Sequence, residues 1–225
     1  MTITDRRERD KQQRRDSIVD AAERFFFTKG FPTTTIDEIA EAAELSKGTI
    51  YLYFKNKEEL YVAIVQRGMH FLTELFREAI AKSPTGKEKV RAIGQALLMF
   101  YERQPHHFKA LFYHHDSPSC PVPDVDRGGP LIKALIHDRE ELYAFSVEAI
   151  RSGIADGSIR PDVDPVKATI VFVSMILGLV RMVSVEEKFL LKRFNLSAED
   201  LIKAAFEMIG RPLTGPRQQK PSKGP

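Results

Sequence analysis

Residues 45–60 read LSKGTIYLYFKNKEEL and gather aromatic rings and lysines around a single glycine, Gly48. A tyrosine can offer its ring to a thymine methyl or a sugar and its hydroxyl to a phosphate, and a lysine can neutralise phosphate charge. The aromatic residues are Tyr51, Tyr53 and Phe54, and the lysines are Lys47, Lys55 and Lys57. Such residues suggest contact with nucleic acid, provided that the surrounding helices turn them outward.

Three capped helix starts position this segment. A first amphipathic helix ends near Gly30, and residues that can cap a helix recur at the start of each of the next three helices. Only about three residues separate the second helix from the third, which predicts a helix-turn-helix whose second helix enters the major groove. The predicted caps are Thr35 with Glu38 in a capping box, Ser46, and Asn56 with Glu59.

The third helix has an inward and an outward side. Ile50 and Phe54 are four residues apart, so they are expected to face inward with Ile39 and Leu45. Gly48 is unfavourable in a helix but would let the helix start approach a duplex closely. The remaining residues are expected to point outward: Lys47, Gly48, Thr49, Tyr51, Leu52 and Tyr53.

Lys57 lies in the first turn of the fourth helix, where the helix dipole disfavours a cation. A phosphate bound there would reverse that penalty. The backbone amides at the starts of the second and fourth helices, near Thr35 and Asn56, are likewise natural anion sites.

The segment from about Arg14 to Met69 resembles the TetR family of bacterial transcriptional regulators. The resemblance lies in IVDAAERFFFTKGF and TTTIDEIAEAAELSKGTIYLYFKNKEELY. It implies an all-helical homodimer with phosphate contacts at Thr35 and Lys57 and a double-stranded DNA operator as partner. Position 52, often polar or aromatic in relatives, is leucine here, which can contact only apolar groups such as a thymine methyl. The recognition helix implied by the resemblance holds Lys47, Gly48, Thr49, Tyr51, Leu52 and Tyr53.

The predicted fold class is all-α. We expect a helix-turn-helix DNA-binding domain over residues 12–72, a helical effector-binding and dimerisation domain over 73–210, and a disordered basic tail over 211–225. No alternating strand pattern competes with the helical periodicity.

The last two helices are expected to form the dimer, because in relatives such a pair meets its symmetry mate in a four-helix bundle. Ser174 and Gly178, four residues apart, would let two backbones come close across that interface, or they pack within the monomer; the sequence leaves both open. The apolar faces predicted for the pair are Val166, Ile170, Val173, Leu177 and Val180 on one helix and Leu201, Ala205, Met208 and Ile209 on the other.

An organic, largely hydrophobic small-molecule effector is expected on the family resemblance, in a pocket lined by aromatic and methionine side chains of the middle helices. A core without a ligand would have the same composition. The candidate lining residues are Phe71, Leu75, Met99, Phe100, Phe108, Phe112, Phe145 and Met175.

A metal-responsive regulator is the alternative, because histidines cluster near an aspartate and the single cysteine, Cys120. Against it, adjacent histidines on a helix point in different directions. A redox switch at Cys120 has weaker support still. The candidate ligands are His106, His107, His114 and His115, with His137 and Asp116 nearby.

Composition limits the other functions. The net charge is +3, but residues 1–15 carry a surplus of three positive charges and residues 211–225 carry four, so the body is near −4. This disfavours a sequence-independent DNA-organising protein. No nucleophile elbow, phosphate loop or paired-carboxylate motif supports an enzyme, and no cofactor is expected.

The charged N-terminus lacks the apolar region of a secretory signal, and the apolar run 168–180 is short for a membrane span, so a cytoplasmic protein is expected. We therefore expect a cytoplasmic, DNA-binding homodimer, a repressor released from a palindromic operator by a small effector.

Overall fold

The computed structural model describes residues 3–112 and 130–197, together with 200, 201, 203–205 and 208, and these parts of the chain are helical with short connections. The predicted all-α class is therefore confirmed. The helices are α1 (Ile3–Thr28), α2 (Ile36–Ala42), α3 (Lys47–Tyr53), α4 (Lys57–Ala81), α5 (Gly86–Arg103), α6 (Pro105–Phe112), α7 (Pro130–Ala155) and α8 (Pro165–Phe194).

The chain divides into two compact units, and α6 belongs to the first. The first unit comprises Met1–Phe71 with Arg103–Arg139, and the second comprises Leu72–Glu102 with Glu140–Pro225. The sequence had assigned residues 103–139 to the C-terminal domain. The functional division at residue 72 stays a prediction.

Close packing of α6 on α4 and α1 explains its place in the first unit. A Cβ added to Gly68 of α4 would lie 2.8 Å from Cδ1 of Leu111 and 3.0 Å from Cδ2 of His107, so a larger residue here would require these side chains to shift. Phe27 of α1 stacks on the ring of His106, with centroids 4.9 Å apart, and meets His107 edge-on. These contacts join α1, α4 and α6 into one core.

The core of the first unit is built from apolar residues at helical spacing. Ile18 and Ala22 of α1, Ile39 of α2 and Ile50 of α3 are fully buried. Leu60 and Ile64 of α4 complete it. Because each fully buried aliphatic side chain contributes about 1.5–3 kcal/mol, this small core can hold two seven-residue helices that would not be stable alone.

In the second unit the start of α5 meets the end of α7 without a side chain between them. A Cβ on Gly86 would lie 1.9 Å from the backbone nitrogen of Gly153. The amide of Gly86 donates to Asp156 at 2.7 Å, and hydrogen bonds from Ser158 and from this amide lower the pKa of the Asp156 carboxyl. Ile159 is buried nearby in a cluster with Ile150.

Helix α8 is apolar on two sides. Thr169, Ile176, Val180 and Val183 are buried in the unit. Val180 was predicted to lie in the dimer face. That prediction is wrong, because Val180 is fully buried within the monomer. The exposed apolar residues of α8 include Val166, Ile170, Val171, Met175, Met182, Val185 and Phe189.

Ser174 and Gly178 belong to the exposed side of α8. Among the described residues outside its own helix, no atom lies within 4 Å of a Cβ built on Gly178, so packing on that part of the monomer does not explain this glycine. The stretch Pro165–Val183 is also long and apolar enough to cross a membrane by length and composition, longer than the run the sequence analysis considered. A single such helix is weak evidence for a membrane.

Candidate nucleic-acid interface

The start of α2 is held by a complete capping box. The amide of Thr35 donates to the Glu38 carboxylate at 2.8 Å, and the amide of Glu38 donates back to the Thr35 hydroxyl at 3.3 Å. The Glu38 carboxylate also pairs with the ammonium of Lys29. This ion pair, with the hydrogen bonds from Thr35, lowers the pKa of Glu38 to about 2. The predicted cap is confirmed, and its anion-binding amide already has a carboxylate partner.

The turn between α2 and α3 depends on one residue in the left-handed region. Glu44 has φ +56°, and the next amide, of Leu45, donates to the carbonyl of Ala40 at 2.9 Å. Lys47, the first residue of α3, donates to Asp37 of α2 at 2.8 Å, and this hydrogen bond raises the pKa of Lys47. The two short helices are thus joined by a backbone turn and a surface ion pair.

Helix α3 has the two sides that the sequence predicts. Ser46 caps it by accepting from the Thr49 amide at 3.1 Å, and Ile50 and Phe54 are buried. Tyr51 is 47% exposed and Leu52 is 84% exposed. Lys47 and Gly48 are also exposed, whereas Thr49, Tyr53 and the inward-predicted Leu45 are half-buried.

Two details refine this helix. Among the described residues, a Cβ on Gly48 would meet only the Ser46 hydroxyl, at 3.8 Å, so packing in that part of the chain does not require a glycine here. The Thr49 hydroxyl lies 2.8 Å from the Ser46 hydroxyl, and it therefore has an internal partner before any ligand arrives.

Lys57 has internal partners that the sequence analysis did not foresee. Its ammonium donates to the carbonyls of Phe31, Thr34 and Pro32 at 2.7, 3.0 and 3.4 Å. It also lies 4.4 Å from the centroid of the Phe31 ring. All three of its protons therefore have partners in the connection between α1 and α2. These hydrogen bonds hold the connection between α1 and α2 against the start of α4. The predicted phosphate contact of Lys57 stays a prediction.

The start of α4 is capped as predicted. The Glu59 amide donates to the Asn56 side-chain oxygen at 2.8 Å, and the Lys55 amide donates to the Glu59 carboxylate at 2.8 Å. The hydrophobic periodicity of the sequence could not predict the Lys57 contacts, because these hydrogen bonds join residues 23 to 26 positions apart.

The candidate effector residues are divided between the two units. Phe71, Phe108 and Phe112 belong to the first, and the other five belong to the second. Phe100 and Phe108 are fully buried, whereas Phe71, Met99 and Met175 are exposed. In the second unit the ring of Phe145 packs on Phe76, a residue that the sequence set omitted, with centroids 6.1 Å apart. The half-buried members are Leu75, Phe112 and Phe145.

The candidate metal ligands that the structure describes have other partners. His106 stacks on Phe27, and Nε2 of the buried His107 lies 3.4 Å from the Glu23 carboxylate. Among the described residues, no three His, Cys, Asp or Glu side chains converge on a possible metal position. His114, His115, Asp116 and Cys120 lie outside the described residues, and so does the tail 211–225.

Comparison with known proteins matches this helix-turn-helix directly. Residues 18–64 match the model of the bacterial regulatory proteins of the tetR family. This segment is a helix-turn-helix domain of the TetR family. The named relatives are DNA-binding transcriptional regulators, and the domain supports the same class for this chain.

Three curated relatives illustrate how far the TetR-family likeness extends. The transcriptional activator FasR of Mycolicibacterium smegmatis is 30% identical over 45% of this chain and 47% of its own, so the match spans about half of that protein. The repressor KstR2 of the same organism is 24% identical over 67% of this chain and 70% of its own. The uncharacterised regulator YhgD of Bacillus subtilis is 28% identical over 74% and 82%.

Solved structures share this helical fold along nearly the whole chain. FadR from Bacillus subtilis in complex with stearoyl-CoA has a TM-score of 0.66 at 21% identity, covering 87% of this chain and 97% of its own. AibR in complex with isovaleryl coenzyme A and operator DNA has a TM-score of 0.61 at 22% identity, covering 89% and 98%. At these identities the likeness shows the fold.

Proposed function

We propose that the chain is a cytoplasmic repressor whose α3 reads a DNA operator in the major groove. The observation that carries the proposal is the surface of α3, where Tyr51 and Leu52 are exposed beside Gly48 while the opposite side of the helix is buried. Large apolar surface exposed on so short a helix is expected where a partner covers it. The proposed groove contacts are Lys47, Gly48, Thr49, Tyr51, Leu52 and Tyr53.

Each contact has its own chemistry. The Leu52 side chain offers apolar contact to a thymine methyl, and the Tyr51 hydroxyl and ring offer contacts to a phosphate or a base edge. Thr35 at the start of α2 is a proposed phosphate contact. The Thr35 amide and hydroxyl already donate hydrogen bonds to Glu38, so a phosphate would have to share these two donors with the Glu38 carboxylate.

We propose that two copies bind together through the exposed apolar side of α8. A dimer that reads two half-sites needs its two α3 helices about 34–36 Å apart, one turn of DNA, so the proposed pairing predicts a near-palindromic operator. The small residues Ser174 and Gly178 on that side would allow close approach of the two backbones.

The proposed effector is a largely hydrophobic small molecule, and acyl-CoA thioesters are the first class to test. Two structures of this fold are described as complexes with stearoyl-CoA and isovaleryl coenzyme A. A ligand that binds more tightly to the form unable to dock on DNA would release the operator by population shift.

Selection from random DNA, followed by gel shift, tests the proposal. We expect enrichment of an inverted repeat and loss of the shifted band on adding an acyl-CoA of one chain-length range. A reporter placed behind the selected site should be expressed less with the protein than without it. No enriched sequence would contradict DNA reading, an enriched site with raised expression would contradict repression, and insensitivity to all acyl chain lengths would contradict the effector class.

A further inference from the structure

The first half of α1 extends beyond the part of the helix that packs in the first unit. Side chains from Arg6 to Arg14 are exposed, and full burial begins only at Ile18. Residues 3–14 form twelve residues of helix, which at 1.5 Å each is about 18 Å. The core does not account for this length.

The first half of α1 carries a net positive charge, because residues 3–14 hold five Lys/Arg and three Asp/Glu. Arg7, Lys11 and Arg14 follow the spacing i, i+4 and i+7, which places them on one side. The same series continues to Ile18, which is buried in the core of the first unit. These three residues, here called the basic stripe, therefore continue the side of α1 on which Ile18 is buried.

The acidic side of α1 already has a partner. Arg67 of α4 lies 4.0 Å from Asp16, 2.6 Å from Asp20 and 3.0 Å from Glu23. These three carboxylates therefore pair with Arg67 and not with the basic stripe. The acidic neighbours of the stripe are Asp10, between Arg7 and Arg14, and Glu8, three residues before Lys11, and its three cations still leave a net positive charge.

The stripe begins beside the end of the recognition helix. The guanidinium of Arg15 lies 5.1 Å from the centroid of the Phe54 ring, and Phe54 is the residue that ends α3. Arg14, the last residue of the stripe, is therefore next in the chain to a residue that contacts the end of α3.

We propose that Arg7, Lys11 and Arg14 form a second DNA-contact surface that binds phosphates flanking the half-site read by α3. This inference rests on the proposed function. Contacts with phosphate carry no base information, so the stripe adds affinity and salt dependence without changing the preferred sequence. A helix of about 18 Å extends along roughly five base pairs at 3.4 Å each.

The test is the salt dependence of binding by the full chain with Arg7→Gln, Lys11→Gln and Arg14→Gln together. Glutamine is nearly as good a helix former as lysine or arginine, so α1 should remain helical by circular dichroism. We expect the slope of log Kobs against log salt to fall by about 2.7 per bound chain, at 0.9 per lost contact, while the ranking of operator variants is unchanged.

The matched control neutralises three exposed cations of the second unit, as Lys82→Gln, Lys87→Gln and Arg91→Gln. It removes the same charge and should leave the slope unchanged. An equal fall in both variants, or no fall in either, overturns the stripe. If the wild type shows no selective binding, the proposed function fails instead.

Hydroxyl-radical footprinting of the wild type provides a second measurement that does not depend on the variant. Protection should extend about five base pairs beyond each half-site. Protection that ends at the half-sites would overturn the proposal even if the triple variant failed to fold.

Discussion

The exposed faces of α3 and α8 differ in chemistry and in how well the sequence predicts them. The α3 face is small and mixed, with a tyrosine, a leucine, a lysine and a glycine on two turns of helix. The α8 face is long and mostly apolar from Val166 to Phe189, with Lys167, Arg181 and Lys188 exposed among its apolar residues. Polar and aromatic groups around a glycine suit the grooves of DNA, whereas a long apolar face with small residues suits a second copy of the same helix.

The largest effect is expected on the α8 side of this comparison. Val171→Glu with Met175→Glu would place four carboxylates in the proposed interface of two chains. Because buried like charges cost several kcal/mol, the dimer should dissociate and operator affinity should fall by roughly 100-fold or more. Sedimentation and gel shift measure both changes.

Gln95→Glu with Ala144→Glu is the control for that pair, since it adds the same charge at exposed positions of α5 and α7. It should remain dimeric and bind DNA. A Val171/Met175 variant that stays dimeric would show that α8 does not form the interface.

On the α3 side, Tyr51→Ala and Leu52→Ala should each weaken operator binding by about 1–3 kcal/mol, roughly 5- to 150-fold. Their exposure predicts unchanged thermal stability and an intact dimer. Lys55→Ala, at an exposed position just past α3, serves as the control and should have a much smaller effect. If Tyr51→Ala unfolds the first unit instead, the tyrosine belongs to the core and α3 loses its proposed role.

Lys57→Met separates a structural role from a DNA contact. The methionine keeps an apolar stem over Phe31 but leaves the carbonyls of Phe31 and Thr34 without their donor. We expect a loss of about 1–3 kcal/mol in the free energy of unfolding, measured by urea denaturation. The salt slope of DNA binding should be unchanged. A slope smaller by about 0.9 per chain with unaltered stability would instead confirm the predicted phosphate contact.

The smallest effect concerns the turn that directs α3. Glu44→Gly should raise the free energy of unfolding by about 0.5 kcal/mol, because glycine accepts the left-handed conformation without strain. Glu41→Gly, inside α2, should lower it by about 0.5–1 kcal/mol. Thermal melts of both variants check this, and stabilisation by Glu41→Gly would contradict the assignment of strain to position 44.

The sequence predicted the helix-turn-helix well because its signals are local. Caps such as Thr35 with Glu38 and the four-residue spacing of Ile50 and Phe54 act within one or two turns. Helix α8 is apolar on both sides, so periodicity could not tell Val180, which is buried in the monomer, from Met175, which is exposed.

Sequence patterns could not predict the long-range contacts either. The Lys57 ammonium meets carbonyls more than twenty residues away, and α6 joins the first unit through a glycine, Gly68, that no local pattern distinguishes.

The stoichiometry on a selected operator tests the central claim most directly. Sedimentation of the protein with one duplex should give two chains per DNA, with two protected half-sites centred one helical turn apart. One chain per duplex, or a single protected half-site at saturation, would contradict the account.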